Sequence, residues 1–144
     1  MAARGIKDKL IETLRKNNLK LTRQRLEIIE VLAVDRSHPS AMEILAKVRK
    51  KVPKISASTV YYTLNLLKRE GLIKELEFYD RENRYEGDIT DHLNLVCTQC
   101  GKIEDFHGEI PFQAKHVERK TGFRIQQIRF EYYGLCRECQ AKRR

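Results

Sequence analysis

The chain has 144 residues, of which 29 are Lys or Arg and 20 are Asp or Glu, so its formal charge is +9. Hydrophobic residues make up 41% and charged residues 34%, which allows an apolar core and excludes wholesale disorder. The apolar run 28–34 is interrupted by Glu30 and the N-terminus has no apolar signal segment, so we expect a cytoplasmic protein that neither spans nor contacts a membrane.

The charge is unevenly distributed. Residues 1–86 carry 19 basic and 12 acidic side chains, whereas residues 87–144 carry 10 and 8 and contain all four cysteines. A basic excess favours a polyanionic partner, with nucleic acid first. This division predicts a DNA-binding domain over 1–86 and a metal-binding domain over 87–144. The alternative is one domain with a basic, solvated face.

Four helices are predicted in the first half. The first carries apolar residues at four-residue spacing and ends near Asn17; Thr22 is the expected N-cap of the second. Ser40 opens the third, and Glu43 completes a capping box. The positions expected to be buried in the second and third helices are Leu26, Ile28, Ile29, Val31, Leu32, Met42, Leu45, Ala46 and Val48.

A fourth helix and a hairpin follow. Pro53 ends the third helix, Ser56 or Ser58 begins the fourth, and Gly71 fits its C-terminal cap. The segment 72–79 alternates as a strand does, 80–83 is a turn, and 84–86 can pair back. This order is that of a winged helix-turn-helix domain.

The second half mixes strands with one helix. Residues 93–96 and 102–106 resemble short strands around a turn, 111–120 can form a helix, and 123–133 alternates as a long strand. We therefore predict an α/β unit in which one helix covers an antiparallel sheet, and an α+β fold overall.

The cysteines form two Cys-x-x-Cys pairs, Cys97 with Cys100 and Cys136 with Cys139. Two residues between thiolates let both sulfurs reach one ion, so the two pairs predict a tetrahedral structural zinc site. Disulfides, or a redox-active pair, are the alternatives. A closed four-cysteine site has no open coordination position, which argues against catalysis at this zinc.

The fourth helix is the candidate for insertion into the major groove. Ser56, Ser58 and Thr59 lie at its start, where hydroxyls and N–H groups suit phosphates. Tyr61, Tyr62 and Thr63 fall off its apolar face and could reach bases or thymine methyls. The basic residues that precede or begin the second helix can neutralise phosphates; they are Lys20, Arg23 and Arg25. The alternative is an amphipathic core helix with two surface tyrosines.

Several short motifs occur in one order along nearly the whole chain. They are Leu21-Thr22-Arg23-Gln24-Arg25, His38-Pro39-Ser40-Ala41, Ile55-Ser56, Thr59-Val60-Tyr61, Gly71-Leu72-Ile73, Arg84-Tyr85-Glu86, His92, Cys97-x-x-Cys100-Gly101-Lys102 and Tyr133-Gly134-x-Cys136-x-x-Cys139. Together they resemble the ferric uptake regulator (Fur) family. The resemblance implies a homodimeric, metal-responsive repressor of palindromic double-stranded DNA operators. It also implies a C-terminal dimerisation domain that carries the four-cysteine zinc, and no small organic substrate.

The resemblance also implies a second, regulatory metal. Its ligands would be His38, Glu86, His92 and Asp105, and Asn94 stands where the family usually has another histidine. Imidazoles and carboxylates suit Fe(II) or Mn(II), and zinc could occupy the same site in vitro. An ion holding ligands from both domains would restrict their orientation, which coupling to DNA requires.

The branch of the family decides the signal. Asp105 resembles the peroxide-sensing branch, in which bound Fe(II) reacts with peroxide and a ligand histidine is oxidised. Glu86 resembles iron-uptake regulators, because the peroxide branch usually has Asp there. Peroxide sensing is our first interpretation and iron sensing the second. A zinc-dependent nucleic-acid enzyme would need an open zinc position, and a zinc-ribbon protein of an RNA assembly would leave the hairpin unexplained.

Overall fold

A computed structural model describes residues 2–78 and 80–142 of the chain. Its contacts divide the chain into two compact units, Met1–Ile89 and Thr90–Arg144. Within the described residues, no helix is both long enough and apolar enough to cross a membrane. The assignment of a DNA-binding role to 1–86 and of dimerisation to 87–144 stays a prediction.

The first unit begins with four helices, and three of them start after residues that the sequence predicts as caps. The four helices are α1 (Ala3–Lys16), α2 (Arg23–Val34), α3 (Ala41–Arg49) and α4 (Ala57–Arg69). The third ends at Arg49, four residues before the stop predicted at Pro53. Thr22 and Ser56 each cap a helix by accepting a backbone N–H, and Ser40 with Glu43 forms the predicted capping box. Gly71 follows α4 in the left-handed region, at φ 72°, which glycine adopts without steric cost.

The core of this unit is an apolar cluster shared by the four helices. Its largest fully buried members are Ile6, Leu10, Leu14, Ile28, Ile29, Leu32, Ile44, Val48, Ile55, Leu64 and Leu67. Two expectations for α3 are wrong, because Met42 and Ala46 are exposed while Ala41 and Ile44 are buried. Packing against the other helices decides which side of α3 is buried, and Met42 and Ala46, four residues apart, share the side that is left exposed.

A two-stranded antiparallel hairpin follows α4. Strand β1 (Lys74–Leu76) pairs with β2 (Arg84–Glu86), and Glu75 lies directly opposite Tyr85. The paired part of β1 is shorter than the predicted strand 72–79, whose last residue, Tyr79, lies outside the described residues. Four helices, three of them capped by a side chain, and this hairpin form the predicted winged helix-turn-helix arrangement.

The second unit contains a three-stranded sheet in the order β4-β3-β5. Its strands are β3 (Leu93–Cys97), β4 (Ile103–Phe106) and β5 (Glu131–Gly134). β3 is antiparallel to β4 but parallel to β5, so the prediction of an antiparallel sheet is wrong. A parallel neighbour needs a long crossover connection, and the 24 residues 107–130 between β4 and β5 provide one.

Two helices complete this unit. Helix α5 (Ala114–Thr121) ends at Gly122, which has φ 78°, and α6 (Arg137–Lys142) was not predicted. None of the described residues of α5 is buried within the chain, so the expectation that it covers the sheet is not met. Only the end of the predicted strand 123–133 pairs, as β5.

Candidate metal centres and nucleic-acid surface

The four cysteines come together at one end of the second unit. Cys97 is the last residue of β3, Cys100 follows in the turn, and Cys136 and Cys139 lie at and within α6. Each offers a sulfur, and the four sulfurs lie within 4.8 Å of one another. A tetrahedral zinc with bonds of about 2.3 Å requires sulfurs about 3.8 Å apart. The distance between the sulfurs of Cys100 and Cys136 is 3.8 Å, which fits zinc and is far too long for a disulfide.

The thiols differ in acidity because their surroundings differ. Backbone N–H groups of Cys100 and Cys136 donate to the sulfur of Cys97 and lower its pKa to about 5. Burial and neighbouring sulfurs raise the pKa of Cys139 to about 12. Four thiolates this close repel one another, so a divalent cation is what would allow all four to ionise together.

His38 lies in the loop between α2 and α3 of the first unit. It is buried, with 1% of its surface exposed, and it has a φ of 59°, which is unusual for a residue with a side chain. The Arg84 guanidinium donates to the carbonyls of Ser37 and His38, and the N–H of Tyr85 donates to the carbonyl of Pro39. Strand β2 therefore holds this loop in its uncommon conformation.

The same strand supplies the carboxylate that faces His38. Nε2 of His38 lies 2.8 Å from Oε2 of Glu86, and both side chains are buried. A nitrogen and an oxygen this close need a proton or a metal ion between them, since their lone pairs repel. Buried charges that are not paired are costly, so this contact is where a cation would be favoured.

His92 and Asp105 form a second imidazole–carboxylate contact, within the second unit. Nδ1 of His92 lies 2.7 Å from the carbonyl oxygen of Thr90. Because a carbonyl oxygen only accepts, Nδ1 carries the hydrogen and Nε2 of the neutral ring presents its lone pair. Nε2 lies 3.3 Å from Oδ1 of Asp105. A second hydrogen bond that fixes the ring in this way is typical of metal-binding histidines.

Asn94 faces the same surface of the sheet. It lies directly opposite Asp105 in the β3–β4 pairing and two residues after His92, and both relations place side chains on one face of a strand pair. Asn94 is buried, and its Oδ1 has no hydrogen-bond partner among the described residues. A buried carbonyl without a partner is unfavourable, so this oxygen is available as a metal ligand.

The predicted DNA-binding residues lie on the first unit. Ser56 and Ser58 are exposed at the start of α4, and the Ser56 hydroxyl accepts the N–H of Thr59 as the helix cap. Tyr61 and Tyr62 are 44% and 59% exposed. Whether these side chains contact DNA stays a prediction. The expectation for Thr63 is wrong, because its side chain is buried and its hydroxyl donates to the carbonyl of Thr59.

Basic residues accompany these tyrosines. The Arg25 guanidinium lies 6.0 Å from the centre of the Tyr62 ring and donates to the carbonyl of Lys20. Arg23 is exposed and donates to the carbonyl of Lys51. The contact between Arg25 and Tyr62 joins the start of α2 to α4, which places a cation beside the exposed face of α4.

Sequence analysis did not identify two residues that shape these centres. Arg84 holds the loop of His38 from 46 positions away, and Thr90 fixes the ring of His92 through its backbone carbonyl. A backbone carbonyl carries no sequence signal. The arginine was visible only as part of the Arg84-Tyr85-Glu86 motif.

Comparisons with known proteins agree on one family. The model of the ferric uptake regulator family matches residues 16–133. The chain is 39% identical to the peroxide operon regulator of Bacillus subtilis, over 99% of this chain and 98% of that protein.

Solved structures give the same result. The ferric uptake regulator of Helicobacter pylori, described as having three functional metal-binding sites, superposes with a TM-score of 0.77 at 32% identity, over 97% of this chain and 95% of that one. The peroxide stress regulator of Campylobacter jejuni superposes with a TM-score of 0.69 at 31% identity, over 90% of this chain and 98% of that one.

Proposed function

This chain belongs to the ferric uptake regulator family, and we propose that it is a metal-dependent transcriptional repressor that responds to peroxide. The observation that carries the proposal is the presence of two buried imidazole–carboxylate contacts, His38 with Glu86 and His92 with Asp105. One contact belongs to each unit. A divalent ion that binds one conformation of the chain more tightly would favour that conformation, and DNA binding would select it.

The proposed ligand set suits Fe(II) or Mn(II). Two imidazoles, two carboxylates and the Asn94 carbonyl are nitrogen and oxygen donors of the kind these ions accept, and zinc could bind them in vitro. The two carboxylates balance the ion's charge. Fe(II) held there would supply the electrons that reduce peroxide beside the ligand histidines. The protein's part is to fix the imidazoles, through the Thr90 carbonyl and through Arg84.

Zinc at the four-cysteine cluster has a separate, structural role in this proposal. Its ligands connect β3, the following turn and α6, so the ion would cross-link segments that are 36 residues or more apart. A closed thiolate site leaves no position for a substrate, which supports a regulator rather than an enzyme.

The proposed partner is double-stranded DNA, bound as a homodimer at a palindromic operator in the cytoplasm. Residues 1–86 would contact DNA, through α4 and the phosphate-binding residues that precede it. Residues 87–144 would form the dimer interface. Exposed aromatic side chains support this role; they are Phe106, Phe112, Phe123, Tyr132 and Tyr133.

An iron-uptake regulator that uses Fe(II) as corepressor is the second candidate. Glu86, rather than aspartate, favours it, and the Helicobacter pylori regulator that this chain resembles is a ferric uptake regulator. Similarity to the Bacillus subtilis peroxide operon regulator favours the first candidate.

Selection of duplexes from a random-sequence pool with the Mn(II)-loaded protein tests the repressor proposal. We expect a palindromic site whose affinity falls at least about tenfold when a chelator removes the regulatory ion but leaves the tighter zinc. Unchanged affinity after removal of that ion would contradict metal dependence. Failure to select any sequence would contradict operator recognition.

A further inference from the structure

Glu75 on β1 receives hydrogen bonds from three different parts of the first unit. Lys68, near the end of α4, donates to Oε1 at 2.7 Å. Asn83, at the end of the hairpin turn, and Tyr85, on β2, donate to Oε2 at 2.9 Å each. The carboxylate therefore connects the helix proposed to read DNA, the turn of the wing and the returning strand.

The charge of this group strengthens the connection. Burial disfavours the ionised carboxyl, but the hydrogen bonds from Lys68, Asn83 and Tyr85 outweigh burial and lower the pKa of Glu75. Hydrogen bonds to an ionised acceptor are about twice as strong as those between neutral groups. The Glu75 side chain is 10% exposed and that of Lys68 is 42% exposed, so water screens the contacts with Asn83 and Tyr85 less than the contact with Lys68.

The turn of the wing is closed by the same set of contacts. While its amide nitrogen donates to Glu75, Asn83 accepts the backbone N–H of Phe78 through Oδ1 at 3.2 Å. The Tyr85 ring is buried, with 3% of its surface exposed, and its hydroxyl reaches Glu75 across the strand pair. Movement of the Glu75 side chain would therefore displace both strands of the wing.

Strand β2 also carries the contacts that hold the His38 loop. Arg84 donates to the loop carbonyls, Tyr85 donates its N–H to Pro39, and Glu86 faces His38 at 2.8 Å. Tyr85 thus contacts the loop through its backbone and Glu75 through its side chain. Strand β2 is therefore connected both to the proposed metal ligands and, through Glu75, to α4.

We propose that Glu75 is a positioning residue for DNA binding, which links β2, the strand of the metal ligand Glu86, to α4 and the wing. The inference rests on the proposed function. Displacement of β2 when a metal ion binds Glu86 is passed to α4 through Tyr85, Glu75 and Lys68. Glu75 itself touches neither the metal nor the DNA.

The chain offers a matched control for the test. Glu77 lies two residues further along, its side chain is 60% exposed, and it faces the same Lys68 at 3.6 Å. An exposed ion pair of this kind contributes little to stability. Glu75→Gln and Glu77→Gln remove the same charge from the same segment, so general attraction to DNA rises equally in both.

The experiment compares both variants with wild type on a duplex selected by the Mn(II)-loaded wild-type protein, with and without Mn(II). Relative to Glu77→Gln, we expect Glu75→Gln to lose about tenfold in affinity for DNA when Mn(II) is bound. We also expect a smaller ratio between the Mn(II)-loaded and Mn(II)-free affinities. The affinity for Mn(II) without DNA should stay within about twofold of wild type.

Equal DNA affinities and equal Mn(II) ratios in the two variants would overturn the inference. A wild-type protein that selects no duplex would instead overturn the proposed function, so the two failures are distinguishable. If Glu75→Gln melts below the assay temperature, Tyr85→Phe replaces it in the same DNA-binding and Mn(II) measurements. This substitution keeps the buried ring and removes only the hydroxyl. A Tyr85→Phe protein with the metal response of wild type would overturn the inference.

Discussion

Substitution of Asn94 separates its contribution to metal binding from its contribution to folding. The residue is buried opposite Asp105, and its Oδ1 has no hydrogen-bond partner among the described residues. Leucine at this position removes the carbonyl and keeps the branching and the number of side-chain heavy atoms. Aspartate keeps the shape and adds a negative charge that faces Asp105.

The two substitutions should change stability in opposite directions. Asn94→Leu relieves an unpaired buried carbonyl, which costs about 1–3 kcal/mol, so the protein without the regulatory metal becomes more stable. Asn94→Asp places like charges directly opposite each other on adjacent strands, which costs about 1 kcal/mol. Metal affinity should follow the reverse order, with aspartate highest and leucine lowest, in steps of about tenfold.

Urea unfolding without the regulatory metal measures the order of stabilities. Calorimetric titration with Mn(II) measures the order of metal affinities. Asn65→Asp is the control. Asn65 is exposed on α4, so this substitution adds the same charge outside the proposed ligand set. The Mn(II) affinity of this variant should equal that of wild type. Equal Mn(II) affinities of the wild type, Asn94→Leu and Asn94→Asp would refute the assignment of Asn94 as a ligand.

Three further predictions concern other parts of the chain. Cys136→Ser should lose zinc and the dimer, measured by elemental analysis and light scattering; a stable zinc-free dimer would contradict the structural role. Asp105→Glu should lower peroxide sensitivity, and inactivation by peroxide at the wild-type rate would count against peroxide sensing. The lowered pKa of Glu75 means that its contribution to stability is present above about pH 4.5 and is lost as the pH falls through its folded-state pKa. Urea unfolding at pH 7 and pH 3.5 should therefore show a smaller acid-induced loss for Glu75→Gln than for wild type, and equal losses would contradict the ionised state of Glu75.

Local signals predicted most of the first unit. Thr22, Ser40 and Ser56 cap their helices, and Gly71 follows α4, because caps depend on residues only a few positions apart. Met42 shows the limit of apolar patterning, since it fits the predicted stripe but lies on the exposed side of α3. Its burial depends on how α3 packs, which no local pattern specifies.

The second unit was harder to predict because its pairings join distant residues. Alternation indicated a strand over 123–133, but β3 pairs only with its last part, and in the parallel direction. Alternation identifies faces of a strand and gives neither its partner nor its direction. For the candidate zinc site, Cys-x-x-Cys spacing sufficed to predict that the four cysteines come together. The imidazole–carboxylate ligands were named only through the family resemblance.

Mass spectrometry of the Fe(II)-loaded protein after treatment with peroxide tests the proposed peroxide response most directly. The proposal predicts the gain of one oxygen atom on His38 or His92, in proportion to the DNA-binding activity that is lost, and no such gain in the Mn(II)-loaded control. Protein that loses DNA binding with both histidines unmodified, or that keeps its DNA bound under peroxide, would contradict it and favour regulation by iron alone.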